Sequence, residues 1–273
     1  MRSAQKLLAP IGIETPQTKS FKKDTGPYKS ISAMFERLKD QLSDKHRKQL
    51  TEQVTQFAPY YIVMGAVEGT DLKSLDEDQL IEVLCSKAVL NQIGKLMVAD
   101  AFMGNSDRLL GAKTNLGNIM LSNDPTKSGI IGIDNEVGFN AQNLAVDKDK
   151  VKALMTYSGA EHYMDQFLAA LKRVYKDLGV ENKIETRGEN NIKSDLWQGM
   201  EAGWVELVQV FKSNRDLLDT LADVNEEFGE HDSRRSEEAA NKLAGYIEYR
   251  LKRNKKPKGL KWTTKLNHLV TGH

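Results

Sequence analysis

The distribution of proline is the feature that most limits the folds open to this 273-residue chain. Five of its six prolines lie at or before position 125, and the sixth is Pro257. Proline removes a backbone hydrogen bond and clashes with the preceding helical turn, so its absence over 126–256 favours long helices there. We therefore expect a helical C-terminal half.

Apolar residues at helical spacing predict three helices in that half. These helices are expected over about 163–180, 197–221 and 236–251, and Gly179 is the expected C-cap of the first. A long polar helix or a helix pair is expected over 30–57. No apolar run approaches the roughly 20 residues that a membrane-spanning helix needs.

Three short apolar runs resemble β-strands, at 60–64, 118–121 and 129–134. The last two are separated by residues typical of turns, which predicts a β-hairpin. Helices and a small antiparallel sheet together indicate the α+β fold class.

Composition excludes several classes of function. Lys and Arg number 39 against 38 Asp and Glu, a formal net charge of +1, which argues against a general nucleic-acid binder. The single cysteine, Cys85, excludes an intrachain disulfide and a Cys-cluster metal site. Cys85 itself is expected in the core. The cytoplasm is the expected compartment, and delivery into a host cell is an alternative that no signal in the sequence supports. The basic run 250–258 is expected to be a solvated helix end, with docking to an acidic partner or an anionic membrane surface as the alternative.

Three polar residues carry the strongest indication of chemistry. Asp107 follows a helix-like segment, Asn118 begins the predicted hairpin, and Asp134 ends it. Phosphoryl transfer needs a carboxylate that orients the attacking hydroxyl and oxygen ligands that hold Mg²⁺. These residues occur in the chain order of a kinase catalytic loop, hairpin and metal-binding aspartate.

Simpler interpretations compete with this one. The tetrapeptide Asn105–Arg108 on its own is typical of an Asx-capped turn. Asn115 is a rival to Asn118 as a metal ligand, and we prefer Asn118 because a β-type run follows it directly. Lys113 is a candidate contact to phosphate or substrate, although the spacing of the glycines before it does not match a P-loop.

The stretch DAFMGNSDRLLGAKTNLGNIML followed by IIGIDN resembles the phosphoinositide 3/4-kinase-like superfamily. Within it, the closest resemblance is to the actin-fragmin kinase catalytic domain family. The N-x-D-R loop, the inserted segment before G-N-x-M, and I-D-N in place of D-F-G carry the resemblance, which is strong over about 80 residues.

The resemblance implies a protein-kinase-like fold, mainly the helical C-lobe (65–273) with an incomplete N-lobe (1–64). Asp107 would be the catalytic aspartate, Arg108 would orient the loop, and Asn118 and Asp134 would bind Mg²⁺. The end of the strand at 60–64 and the residues after it would face the adenine of ATP, and Asp71 and Leu72 would start the first C-lobe helix. The front segment up to Phe21 would hold the end of the αC-like helix and the strand after it. The adenine-facing residues would be Met64, Gly65, Ala66 and Val67.

The resemblance implies ATP- and Mg²⁺-dependent phosphorylation of a protein Ser or Thr hydroxyl, and a cytoskeletal protein is one candidate substrate. The superfamily's phosphate-covering loop and strand lysine lie upstream of the αC-like helix, and only Gly12 and Gly26 precede residue 60 here. We therefore expect a fragment of a longer protein or a degenerate kinase fold. A phosphoinositide kinase and a pseudokinase or binding module are the alternative functions.

Overall fold

The computed structural model forms two compact units, one within Pro16–Val67 and the other from Met1–Thr15 together with Glu68–His273. The division into lobes at residue 64 stays a prediction. The predicted helix at 236–251 lies mostly outside the residues that the structure describes, with 242 and 245–250 helical, and the basic run after residue 250 lies outside them entirely. The structure describes residues 5, 7–50, 60–111, 114–124, 129–134, 144–213, 242 and 245–250.

The smaller unit is a two-stranded antiparallel ribbon with two helices between its strands. Strand β1 (Thr18–Lys22) pairs with β2 (Tyr60–Met64). Between them lie α1 (Gly26–Lys39) and α2 (Asp44–Leu50), which confirms a helix pair as far as residue 50. Thr25 caps α1 by accepting a hydrogen bond from the Tyr28 N–H. Strand β2 matches the predicted segment, whereas its partner β1 has no clear apolar alternation and was not predicted from the residue pattern.

The larger unit contains a three-stranded antiparallel sheet in the order β3–β4–β5. Strand β3 (Gly69–Asp71) pairs with β4 (Ile119–Ser122), and β4 pairs with β5 (Ile130–Gly132), so the predicted hairpin is confirmed. Asn118 itself lies in the short 3-10 turn before β4. A Cβ on Gly69 would lie 2.7 Å from the Leu121 carbonyl oxygen, so β3 approaches β4 closely because position 69 is glycine.

The expectation that Asp71 and Leu72 begin a helix is wrong. Asp71 ends β3, and its carboxylate oxygen accepts hydrogen bonds from the Lys73 N–H at 2.9 Å and the Ser74 hydroxyl at 3.2 Å. These bonds hold the chain in a turn, and the helix starts only at Glu77. Asp76 caps that helix in a reciprocal capping box with Gln79.

The turn after β3 is also held by a residue about 100 positions later in the chain. The Tyr175 hydroxyl donates to the Leu72 carbonyl oxygen and accepts from the Leu75 N–H, both at 2.8 Å. Tyr175 is 5% exposed, and burial raises the pKa of its hydroxyl. One buried hydroxyl therefore satisfies a backbone donor and a backbone acceptor.

The other elements described in the larger unit are helices and short 3-10 turns, which confirms the expectation from the proline-free stretch over its described part. The predicted helix over 163–180 ends earlier, at Val174, and Gly179 instead caps the short 3-10 turn that follows. The predicted helix from 197 begins earlier, at Glu189, and is described to Ser213. Within the described residues no helix is long and apolar enough to cross a membrane. The helices are α3 (Glu77–Cys85), α4 (Lys87–Met103), α5 (Leu144–Leu154), α6 (Tyr157–Val174), α7 (Val180–Arg187) and α8 (Glu189–Ser213).

Helices α4 and α8 pack at the centre of this unit. A Cβ on Gly94 would collide with the Leu196 carbonyl oxygen, and one on Gly199 would collide with the Asn91 carbonyl oxygen. Glycine at both positions therefore lets the two backbones touch. Cys85, expected in the core, is exposed at the last position of α3. The expectation was wrong because the apolar pattern around it identifies the helix but not which end of the helix leaves the core.

Candidate active site

The site begins where α4 ends. Gly104 adopts a left-handed conformation with φ of 73°, and its N–H bonds the Asp100 carbonyl oxygen as the C-cap of the helix. The chain then turns through Asn105, which is 1% exposed and whose side-chain oxygen accepts a hydrogen bond from the Asp107 N–H at 3.0 Å. The Asx turn expected from the tetrapeptide is therefore present, and it leaves the Asp107 side chain exposed.

Asp107 contacts a second candidate residue directly. The side-chain amide of Asn118 donates to Oδ2 of Asp107 at 2.7 Å, although the two residues are 11 positions apart in the chain. Asn115, the rival to Asn118, instead accepts from the Lys73 ammonium group at 2.7 Å. The structure therefore brings Asn118, rather than Asn115, to Asp107.

Asp134 is linked to Asn118 and Arg108 through the backbone of the preceding residue, Ile133. The Ile133 N–H donates to the Asn118 carbonyl oxygen at 3.1 Å, and the Ile133 carbonyl oxygen accepts from the Arg108 guanidinium group at 3.3 Å. Asp134 follows with φ of 51°, a left-handed conformation that is uncommon outside glycine but tolerated by Asp. The chain thus turns immediately after β5 and leaves this carboxylate exposed.

Arg108 holds the loop from the interior. Its side chain and that of Asp100 are both fully buried, and the guanidinium group makes two hydrogen bonds to the Asp100 carboxylate, one of them from Nε at 3.2 Å. A fully buried group does not face a substrate. Its contacts make Arg108 a positioning residue, which ties the end of α4 to the residue before Asp134.

The buried ion pair predicts a specific pH dependence of stability. Burial raises the pKa of Asp100 from 3.8 to about 6, while the charge and hydrogen bonds of Arg108 lower it. Between about pH 4 and 6 the folded state keeps a proton that the unfolded state has released, so this carboxyl stabilises the fold less as pH rises through that range. Urea unfolding of wild type and Asp100→Asn at pH 4 to 7 measures the effect. The stability of wild type relative to the variant should fall by about 2 to 3 kcal/mol across the range, and a constant difference would contradict the assignment.

Not all the candidate residues lie within the described part of the larger unit. Met64, Gly65, Ala66 and Val67 lie in the smaller unit or at its end, where the Gly65 N–H bonds the Gln17 carbonyl oxygen at 2.8 Å. Lys113 lies outside the described residues. Asp100 was not among the candidates, although a carboxylate inside the apolar helix GKLMVADAFMG signals a buried charge that needs a partner.

Comparisons of the chain with protein-family models, with curated proteins and with solved structures find no match. Its function is therefore inferred from the residues themselves and from their geometry.

Proposed function

We propose that the chain is an ATP- and Mg²⁺-dependent kinase of the actin-fragmin kinase type, which phosphorylates a Ser or Thr hydroxyl of a protein. The hydrogen bond of 2.7 Å between Asn118 and Asp107 is the observation that carries the proposal. It pairs the residue expected to orient the acceptor hydroxyl with a residue expected to hold the metal ion.

The order of elements supports the proposal. Helical residues at 7–8 precede β1 and β2, and β3, α3 and α4 follow along the chain. The loop with Asp107, the β4–β5 hairpin and Asp134 come next. The resemblance implies an αC-like helix, two strands, C-lobe helices, catalytic loop, hairpin and metal-binding aspartate in this order, and α1, α2 and β3 are additional to that succession.

The donor set at the site suits Mg²⁺. The side-chain NH₂ group of Asn118 donates a hydrogen bond to Asp107, so the side-chain oxygen of Asn118 is the atom that remains for a metal ion. Asp134 provides a carboxylate as a further ligand. Among the described residues, no group of three or more His, Cys, Asp and Glu side chains could hold a metal. Mg²⁺ at such sites is usually held by only one or two protein carboxylates, and phosphates and water complete its octahedral shell.

Asp107 would perform the protein's part of the chemistry. Its Oδ2 accepts from Asn118, which leaves Oδ1 to accept a hydrogen bond from the acceptor hydroxyl. Asp107 would orient that hydroxyl and accept its proton as the oxygen bonds to phosphorus and ADP leaves. When bound, Mg²⁺ neutralises charge on the transferring phosphate.

Phosphate transfer from ATP to a Ser/Thr peptide library and to purified actin tests this assignment. We expect Asp107→Asn to reduce the rate by about a hundredfold or more, because a general base contributes about that much. Its affinity for Mg²⁺-ATP should be unchanged, since Asp107 acts on the hydroxyl. Asp134→Asn should instead weaken Mg²⁺-dependent ATP binding. Asp149→Asn, which removes an exposed carboxylate from α5, is the matched control.

The alternative functions give different results. Full activity in both site variants of an active protein would show that the residue assignment is wrong. Transfer only to phosphoinositide vesicles would identify a lipid kinase. Binding of Mg²⁺-ATP without transfer to any acceptor would identify a pseudokinase or binding module.

A further inference from the structure

Lys73 lies beside the candidate catalytic loop and has no role in the function proposed above. Its backbone N–H donates to the Asp71 carboxylate at 2.9 Å, and the Ser74 hydroxyl donates to the same oxygen at 3.2 Å. The flanking residues Leu72 and Leu75 are held by the Tyr175 hydroxyl. The side chain of Lys73 therefore starts from a well-defined turn.

The side chain extends over the loop that carries Asn118. Its ammonium group donates to Oδ1 of Asn115 at 2.7 Å. A Cβ on Gly117 would lie 2.7 Å from Nζ of Lys73 and 3.2 Å from its Cε, so the lysine occupies the space that a larger residue at 117 would fill. The next residue is Asn118, which bonds Asp107. A positive charge is thus held next to the candidate metal ligand.

This charge is available to a ligand. Lys73 is exposed, and within the described part of the chain no carboxylate lies within ion-pair distance of its ammonium group. An ammonium group has three donors, and the neutral amide of Asn115 uses one of them. The geometry therefore presents a partly unused cation at the edge of the site.

We propose that Lys73 binds the polyphosphate chain of the nucleotide. The inference rests on the proposed kinase function and deepens it, because phosphoryl transfer needs positive charge around the phosphate oxygens. Before the nucleotide binds, Asn115 holds the ammonium group in position. When the nucleotide binds, the ammonium group makes a charge-assisted hydrogen bond to a phosphate oxygen, which is stronger than its bond to the neutral amide.

Calorimetric titration with ATP, ADP and AMP in the presence of Mg²⁺ tests the proposal on the full chain. Lys73→Gln should weaken ATP binding roughly tenfold, ADP binding less and AMP binding least, because the lost attraction grows with the number of phosphates. Lys73→Arg should retain most of the affinity. Lys87→Gln is the matched control: it removes an exposed lysine from the other end of α4, about 24 Å along the helix from Met103.

Asn115→Ala separates binding of phosphate from a structural role. It removes the partner of Lys73 but keeps the charge, so the proposal predicts an affinity for ATP much closer to that of the wild type than to that of Lys73→Gln. If Lys73 served only to hold Asn115 in place, Asn115→Ala would weaken binding as much as Lys73→Gln, and that result would overturn the inference. An equal loss for ATP, ADP and AMP in Lys73→Gln would also overturn it.

The two proposals fail in distinguishable ways. A wild-type chain that binds none of the three nucleotides refutes the kinase function and the role of Lys73 together. A wild-type chain that binds ATP, with Lys73→Gln binding it equally well, refutes only the role of Lys73. Thermal melting of each variant by circular dichroism establishes that the exposed substitutions leave the fold intact.

Discussion

Replacement of Arg108 with methionine is expected to lower the free energy of unfolding by about 3 to 5 kcal/mol. The substitution leaves the fully buried Asp100 carboxyl without its counter-charge, so it must take up a proton or stay charged without a partner, and it removes the donor to the Ile133 carbonyl oxygen. Either outcome leaves a buried polar group without the guanidinium group that stabilises it, and this costs more than the pair itself contributes. Urea unfolding followed by circular dichroism at pH 7 measures the loss.

The pair between Lys183 and Glu77 provides a control in which the remaining carboxylate is exposed. Its atoms are 2.5 Å apart, and the Glu77 side chain is 60% exposed. We expect Lys183→Met to cost about 1 kcal/mol or less, since water solvates the Glu77 carboxylate that remains. Adding Asp100→Leu to Arg108→Met removes both buried charges and should recover most of the loss. The assignment is refuted if Arg108→Met costs no more than Lys183→Met.

Replacement of Trp204 with alanine is the second large effect, with an expected loss of about 3 to 5 kcal/mol. Trp204 is 1% exposed, and its indole N–H donates to the Leu154 carbonyl oxygen at 3.1 Å. The substitution creates a cavity between α8 and the end of α5 and leaves that carbonyl oxygen without this donor. Unfolding in urea measures the loss, and tryptophan fluorescence reports the change in the core.

Trp197 on the same helix is the control for this substitution. It is only partly buried, and it contacts Tyr157 edge to face with ring centroids 5.7 Å apart. Trp197→Ala should cost about 1 to 2 kcal/mol, because less apolar surface returns to water and the neighbouring side chains can relax. Equal losses for Trp197→Ala and Trp204→Ala would show that burial does not set the cost here.

The sequence was informative where one local pattern controls the structure. The apolar runs of β4 and β5, separated by turn residues, predicted their pairing, and the chain order of Asp107 and Asn118 predicted two groups that the structure brings together. The absence of proline likewise predicted the helices of the C-terminal half over their described part.

Other features depend on contacts that no local pattern encodes. Gly69–Asp71 contains residues disfavoured in strands and forms β3 only because β4 lies beside it. The bond from Lys73 to Asn115 spans 42 positions and depends on a turn that the resemblance had assigned to a helix. The pair of Arg108 and Asp100 follows from how the loop folds back onto α4, which the tetrapeptide alone does not show.

The two hydrogen bonds of Tyr175 have a consequence for the entropy of ligand binding. They attach both ends of the turn 72–75 to a single oxygen atom, so the backbone under Lys73 has little freedom to lose when an anion binds. This segment is already ordered in the folded protein, so binding an anion does not have to order it. The contribution of the ammonium group to the affinity is therefore larger than it would be on a flexible segment. The preorganisation of one side of the candidate site thus originates at the end of α6, in a residue that need not touch the ligand.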